Sequence, residues 1–311
     1  MNFQTFQDLP AEEVARLVRE AGPKVCVFPI NGTRRWFMLE YMRGQGEDLL
    51  AAYLEASIRR HIELYTLFFE HGIDTLLTPA FGPDLMERSQ DYLQVASKGL
   101  ARLATDPVLL DFYKSNGVRV RFYGDHRKYL GSTPYAYLSD LFDEAAAQTA
   151  HHDRHRLFFG LFSHDPSETV AELAVQYYIK HGAVPDRRKL VELYYGEYVA
   201  PVDFFIGFEK FSAFDMPLLA LGNEDLYFTV SPSPYLNAQQ LRAILYDHLY
   251  SRRVEETDYS EMGTADWAAM RDFYRANAGN TLGIGAIQKR GGFWYPLPQV
   301  ALPPGFTETQ T

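Results

Sequence analysis

The sequence predicts an α/β fold, with a central and mostly parallel β-sheet flanked by helices on both faces. Two observations carry this reading. Short apolar runs rich in Val, Ile, Leu and Phe recur along the chain, and most are followed by a stretch with helical apolar spacing. No repeat period or low-complexity tract interrupts the alternation. Strand–helix–strand units of this kind close right-handed and lay their helices over the sheet.

The elements follow in order. Residues 24–28 read as the first strand. Residues 47–71 carry a helical apolar period and end at Gly72, a residue that reaches the left-handed C-cap conformation without steric cost. Residues 73–78 read as the next strand and 84–104 as a helix. Strand 118–123 precedes helix 134–149, and strand 156–162 precedes helix 167–181, which follows Pro166. Residues 202–206 and 226–230 read as two further strands. Residues 237–252 form the last expected helix, with Asn237 as its cap. The loop 150–155 and the tail after Tyr295 read as flexible. Residues 1–311 are expected to form a single domain with a C-terminal extension from about 255.

Composition narrows the function. Net charge is -10 with no basic block, which argues against a nucleic-acid partner. No apolar run approaches the roughly 18 residues of a membrane-spanning helix, and the first ten residues lack a signal-peptide pattern. The single cysteine, Cys26, excludes an internal disulfide framework and suits a reducing cytoplasm. Aromatic residues reach 15%. They serve either a bulky core or an aromatic-lined cavity for a large apolar ligand, and aromatic faces also stabilise cations.

The sharpest local feature is Phe28-Pro29-Ile30-Asn31-Gly32-Thr33-Arg34-Arg35-Trp36, directly after the first strand. Ligands of open α/β sheets bind at the carboxyl ends of strands. Gly32 lets backbone amides approach an anion, and Arg34 and Arg35 supply permanently charged donor forks suited to phosphate. A solvated basic turn is the plain alternative.

This segment resembles the Asp-Gly-Asn-Gly-Arg-Arg-Trp signature of the cis-prenyltransferases. Further matches follow in order. Residues 71–78 resemble that family's Gly-Ile strand, and 81–88 its Phe-Ser-x-Glu-Asn-x-x-Arg loop, with Arg88 in the arginine position. Residues 118–125 resemble its Val-Arg-x-x-Gly-Asp strand, and 202–206 and 226–229 its last two strands. The resemblance is stronger to the diterpene-synthase branch of the tuberculosinol and kolavelool type, through Tyr194-Tyr195-Gly196-Glu197-Tyr198-Val199, Phe214-Asp215 and Ile244-Leu245-Tyr246-Asp247-His248. It implies the Z-prenyl synthase fold, a prenyl diphosphate substrate, Mg²⁺ and a homodimer.

Two departures qualify what carries over. Chain-elongating members hold a second diphosphate with Arg-Thr-Ser-Gly-Glu-x-Arg-x-Ser. This chain has Ile206-Gly207-Phe208-Glu209-Lys210-Phe211-Ser212, without the arginines. The resemblance therefore implies one bicyclic C20 diphosphate of kolavenyl or tuberculosinyl type. It is ionised and captured by water to give a tertiary alcohol; the alternative is transfer to a nucleoside such as adenosine. Second, the signature Asp is Asn31 here. Asn keeps a neutral oxygen, binds Mg²⁺ less well and cannot act as a base. Another group takes over its work, or the substitution is an engineered trap, or the chain is a non-catalytic prenyl-diphosphate binder.

By resemblance, Arg34, Arg35 and Arg88 bind the diphosphate together with the amides of Gly32 and Thr33. Asn31, Tyr53, Arg34 and Arg35 are the expected catalytic set, and Asn31 the expected metal contact. Trp36, Phe208, Phe211 and Phe214 are the expected cavity lining, although each alone is more often plain core. His151, His152, Asp153 and His155 fit no ligand spacing and read as a solvated loop. Asp203 and Asp215 are magnesium-type ligands, but Asp is common at strand edges and caps. Cys26 reads as an inert core residue.

Overall fold

The computed structural model describes residues 1–41, 49–253 and 259–297. Six strands form its centre: β1 (Val25–Val27), β2 (Thr75–Phe81), β3 (Val118–Tyr123), β4 (His155–Leu161), β5 (Phe204–Phe208) and β6 (Asp225–Thr229). All pair in parallel, in the order β3-β4-β2-β1-β5-β6. The helices in chain order are α1 (Phe3–Gln7), α2 (Ala11–Glu20), α3 (Thr33–Tyr41), α4 (Leu49–Glu70), α5 (Gln90–Thr105) and α6 (Pro107–Ser115). They continue with α7 (His126–Leu130), α8 (Leu138–Gln148), α9 (Ser167–His181), α10 (Arg187–Tyr195), α11 (Ala238–Leu249) and α12 (Thr264–Asn277). After α12 comes a hairpin of β7 (Gly285–Gln288) and β8 (Phe293–Pro296). This is the Z-prenyl synthase arrangement expected from the sequence.

Strand alternation explains why both faces are covered. Cys26, Leu76, Leu157, Phe159, Phe204 and Ile206 point to one face, where α2, α4, α6 and α11 pack. Val25, Val27, Leu77, Phe158 and Phe205 point to the other, against α10. Period-two side chains force this division, so a parallel sheet needs helices on both sides. The amino ends of the central strands are locked by charge. The Val25 amide donates to Asp203 Oδ2 at 2.7 Å, and Lys24 Nζ lies 3.4 Å from Asp203 Oδ1.

Several segments differ from the sequence reading. The stretch after β1 is not all loop: Thr33 begins a helix. Helices α2, α6, α7 and α10 were not foreseen. The expected helix 84–104 is a 3-10 turn (Pro83–Glu87), a break at Arg88, and then α5 capped by Ser89. The first two residues of the expected helix 47–71 lie outside the described residues, as do 254–258 and the tail 298–311. His155 is not in a solvated loop. It opens β4, is buried and stacks on Phe69 at 4.2 Å between ring centroids.

Among the described residues no helix is long and apolar enough to cross a membrane. Cys26 is fully buried, and burial raises its thiol pKa well above the ordinary value. A thiol reagent is therefore expected to leave Cys26 unmodified in the native protein and to titrate one thiol in denaturant; fast native labelling would contradict the packing of β1.

Candidate active site

The site lies at the carboxyl ends of β1, β2 and β4, as strand direction requires. The chain leaves β1 through Pro29, Ile30 and Asn31 and turns at Gly32, whose φ is +76°. A Cβ there would fall 2.9 Å from Pro232 Cβ and 3.0 Å from Phe208 Cε1, so both conformation and space demand glycine. Helix α3 starts immediately, with the Trp36 amide donating to Gly32 O at 2.9 Å. The Thr33 hydroxyl donates to Ile30 O at 2.9 Å. The first amides of α3 have no intrahelical acceptor and carry the positive end of the helix dipole.

A buried serine holds this turn. Ser233 Oγ accepts the Asn31 amide at 3.1 Å and donates to Pro29 O at 3.1 Å, while the Ser233 amide donates to Asn31 O at 3.0 Å. The strap carrying Ser233 is itself gripped by α4. The Arg60 guanidinium donates to Pro234 O at 2.7 Å and Leu236 O at 2.9 Å.

Beside the turn opens a cavity of about 780 Å³. Asn31, Gly32, Thr33 and Arg34 form its mouth, and its walls are largely apolar. Arg34 is exposed and makes no ion pair with a carboxylate of the described residues. Tyr53 lines the same cavity and meets Phe37 edge-on at 5.4 Å. Burial raises its phenol pKa, opposed first by a hydrogen bond with Ser57 and least by the positive charge of Arg34.

Other expected residues sit elsewhere. Arg35 turns away from the cavity, pairs with Glu209 at 3.2 Å and lies over Phe208. Arg88 lines a smaller neighbouring cavity, is exposed, and reaches Asp84 at 3.4 Å. None of the four aromatics expected as lining borders the large cavity. Trp36 packs on Tyr41 beside a separate groove. Phe211 stacks on Phe228 at 4.9 Å. Phe214 meets Phe205 edge-on and borders the small cavity instead. Phe208, Phe211 and Phe214 lie outside the lining because β5 and its following loop pass on the other side of the β1 turn, and Trp36 lies on the face of α3 that borders the separate groove.

The lining that sequence reasoning missed comes mainly from α4 and α5. Tyr53, Ser57, His61 and Tyr65 all reach the cavity and are spaced four apart, one stripe of a helix. His61 Nε2 is buried without a hydrogen-bond partner. Burial lowers the His61 pKa to about 4, so the ring is neutral at pH 7. The four-residue spacing was the available signal; it passed as ordinary core. Tyr92 of α5 and Phe81 at the bulged end of β2 complete the wall.

Magnesium can be tested against these donors. Asn31 offers one uncharged oxygen, and among the described residues no group of three or more His, Cys, Asp or Glu converges to hold a metal. Magnesium is ordinarily held by one or two carboxylates plus substrate phosphates. The donors do not fit a metal cage built by the protein. Asp203 lies at the amino end of β5, opposite the site, and is engaged with Lys24 and the Val25 amide.

Comparison with known proteins agrees with this geometry. No protein-family model matches the chain. It is 44% identical over 292 residues to a tuberculosinyl adenosine transferase of Mycobacterium tuberculosis, covering 93% of this chain and 96% of that protein. It is 28% identical over 285 residues to a (+)-kolavelool synthase of Herpetosiphon aurantiacus, covering 90% and 91%. Among solved structures it resembles lavandulyl diphosphate synthase from Lavandula x intermedia in complex with dimethylallyl diphosphate. The TM-score is 0.58 at 16% identity, over 76% of this chain and 98% of that one. A probable undecaprenyl diphosphate synthase from Campylobacter jejuni aligns with a TM-score of 0.55 at 16% identity, over 76% and 97%. These two likenesses concern the fold.

Removing the Ser233 hydroxyl takes two hydrogen bonds from the turn and leaves the Asn31 amide and Pro29 carbonyl with only their bond to each other, at 2.9 Å. Ser233→Ala is expected to cost about 1–3 kcal/mol in denaturant unfolding. An unchanged unfolding midpoint would show that the turn does not depend on it.

Proposed function

The chain belongs to the cis-prenyltransferase-like superfamily, and from that premise we propose that it binds one bicyclic C20 allylic diphosphate, ionises it and adds water to give a tertiary diterpene alcohol. The observation that supports this most is one anion cradle at the mouth of one long apolar cavity. The diphosphate sits on the amides at the start of α3 and on Arg34, while the terpenyl tail fills the 780 Å³ beyond, within the range of small-molecule sites. Ionisation breaks the carbon–oxygen bond, and its electron pair leaves on the diphosphate. Arg34 and the α3 amides are fixed where that negative charge grows, which is how such sites lower a barrier. The faces of Phe37, Tyr53 and Tyr92 surround the carbon skeleton, where they favour a carbocation. Arg88 assists from the side of the small cavity. Arg35 acts through its bond to Glu209, steadying the start of α3.

Elongation is disfavoured, because β5 ends in Ile206-Gly207-Phe208 and offers no cations to a second diphosphate. Transfer to a nucleoside is a second reading. It is favoured by the higher identity, 44% against 28%, to the protein named as an adenosine transferase. The donor set assigns no step to magnesium.

A homodimer also belongs to this proposal. Helix α9 buries no residue and presents Val175, Tyr178 and Ile179, the last 79% exposed. An apolar helix face of this kind is typical of an interface.

Incubation with a bicyclic C20 diphosphate, reading diphosphate and terpene by mass spectrometry, tests the reaction. The native chain is expected to give an alcohol, and Arg34→Ala to lose about 10²–10³ in diphosphate release. An adduct formed on adding adenosine supports the transferase instead; binding without release means a non-catalytic binder. In light scattering, Ile179→Lys is expected to convert a dimer to a monomer, and a native monomer refutes the dimer.

A further inference from the structure

The ionisation step draws on the small cavity only through Arg88. About 260 Å³ in volume, it shares Asn31, Pro79, Ala80, Phe81 and Tyr92 with the large cavity, so both open at Asn31. Its own wall is more polar and contains Asp84, Arg88 and Asp215. Asp215 is the unusual member. Its side chain is 8% exposed, and Oδ1 is buried without a hydrogen-bond partner. Its backbone sits at φ +55°, a left-handed conformation that is uncommon outside glycine. The Tyr123 hydroxyl holds that conformation by donating to Asp215 O at 2.8 Å. A buried carboxylate without a donor is costly, and such features cluster where chemistry needs them.

We propose that the small cavity is the acceptor pocket and that Asp215 is the general base of the capture step. This rests on the ionisation reading above. The acceptor class is a neutral O–H or N–H nucleophile, either water or a nucleoside. Its lone pair forms the new bond to the allylic cation as its proton passes to Asp215 Oδ1. The diphosphate has already left with the electron pair of the broken carbon–oxygen bond, and the carboxyl later returns its proton to solvent. Asp215 thus supplies the carboxylate that Asn31 cannot, from across the same opening.

The surrounding groups suit a base that works near neutral pH. Burial raises the Asp215 pKa to about 6, Asp84 adds to the rise, and His164 at 4.0 Å opposes it. The buried phenols of Tyr123, Tyr194 and Tyr195 also face it, each held neutral by desolvation. The carboxylate form therefore prevails above about pH 6 and the inert carboxyl below it.

The test compares the full chain with Asp215→Asn, which tolerates φ +55° and keeps the side-chain size. Released diphosphate and terpene products are measured together from about pH 5 to 8. In the native protein, alcohol formed per diphosphate released is expected to fall as pH drops through about 6, with olefin replacing it. In Asp215→Asn that ratio is expected to fall at least about tenfold and to lose its pH dependence. With adenosine added, the adduct should follow the same pattern if a nucleoside is the acceptor. Thermal melting checks folding, and a second variant, Asp215→Glu, should restore part of the capture. An unchanged product ratio and pH profile in Asp215→Asn overturns the assignment. So does loss of diphosphate release itself, which would place Asp215 in ionisation. A native chain that releases no diphosphate fails at the earlier step and removes the ionisation reading with it.

Discussion

The turn at Asn31 and Gly32 is the constraint on which the site depends. Gly32 has no room for a side chain between Pro232 and Phe208, and the backbone on either side is clamped by Ser233. That clamp is held in turn by Arg60 from α4, a helix that forms one side of the cavity wall. The anion cradle and the apolar wall are therefore mechanically one piece. A shift of α4 moves the strap, the strap moves the turn, and the α3 amides move with it. Catalysis by fixed dipoles requires this stiffness, because a donor that must reorganise loses its advantage.

The parallel sheet was legible because strand periodicity and apolar run length are local properties. Each of the six strands could be read from five to seven residues, and the resemblance to a family signature implied the fold they build. Helix α3 was missed for a local reason too. Its sequence, Thr-Arg-Arg-Trp-Phe, looks like the end of a loop, and the helix is specified by the left-handed Gly32 before it. The break at Arg88 was hidden likewise, since Pro83 opens a 3-10 turn and Ser89 starts a new helix inside one continuous apolar period.

The site was legible only in part. The turn residues and Tyr53 could be singled out because a motif and a helical count point to them, and they border one cavity. The four lining aromatics failed because choosing a wall requires knowing which side of the β1 turn each strand end passes, a relation between segments far apart in sequence. His61 and Asp215 illustrate the same limit. What distinguishes them is a buried atom with nothing to bond to, and that exists only after packing. A spacing of four along α4 was visible, but spacing alone does not separate a cavity wall from core.

The bond between Val25 and Asp203 spans 178 residues. Strand β1 must therefore wait for β5 before its second edge is paired, and both the clamp at Ser233 and the contact between Glu209 and the Trp294 amide arrive later still. During synthesis the long apolar helix α4 emerges well before the elements that cover its surroundings. Loop closure of this length is slow relative to local helix formation. Until β5 is made, the newborn chain has only β1 to β4 to pair, four of the six strands, and the apolar surface that β5, β6 and α11 cover stays bare. Chaperone dependence during expression, and a refolding yield that falls with concentration, follow from this chain order rather than from any weakness of the finished fold.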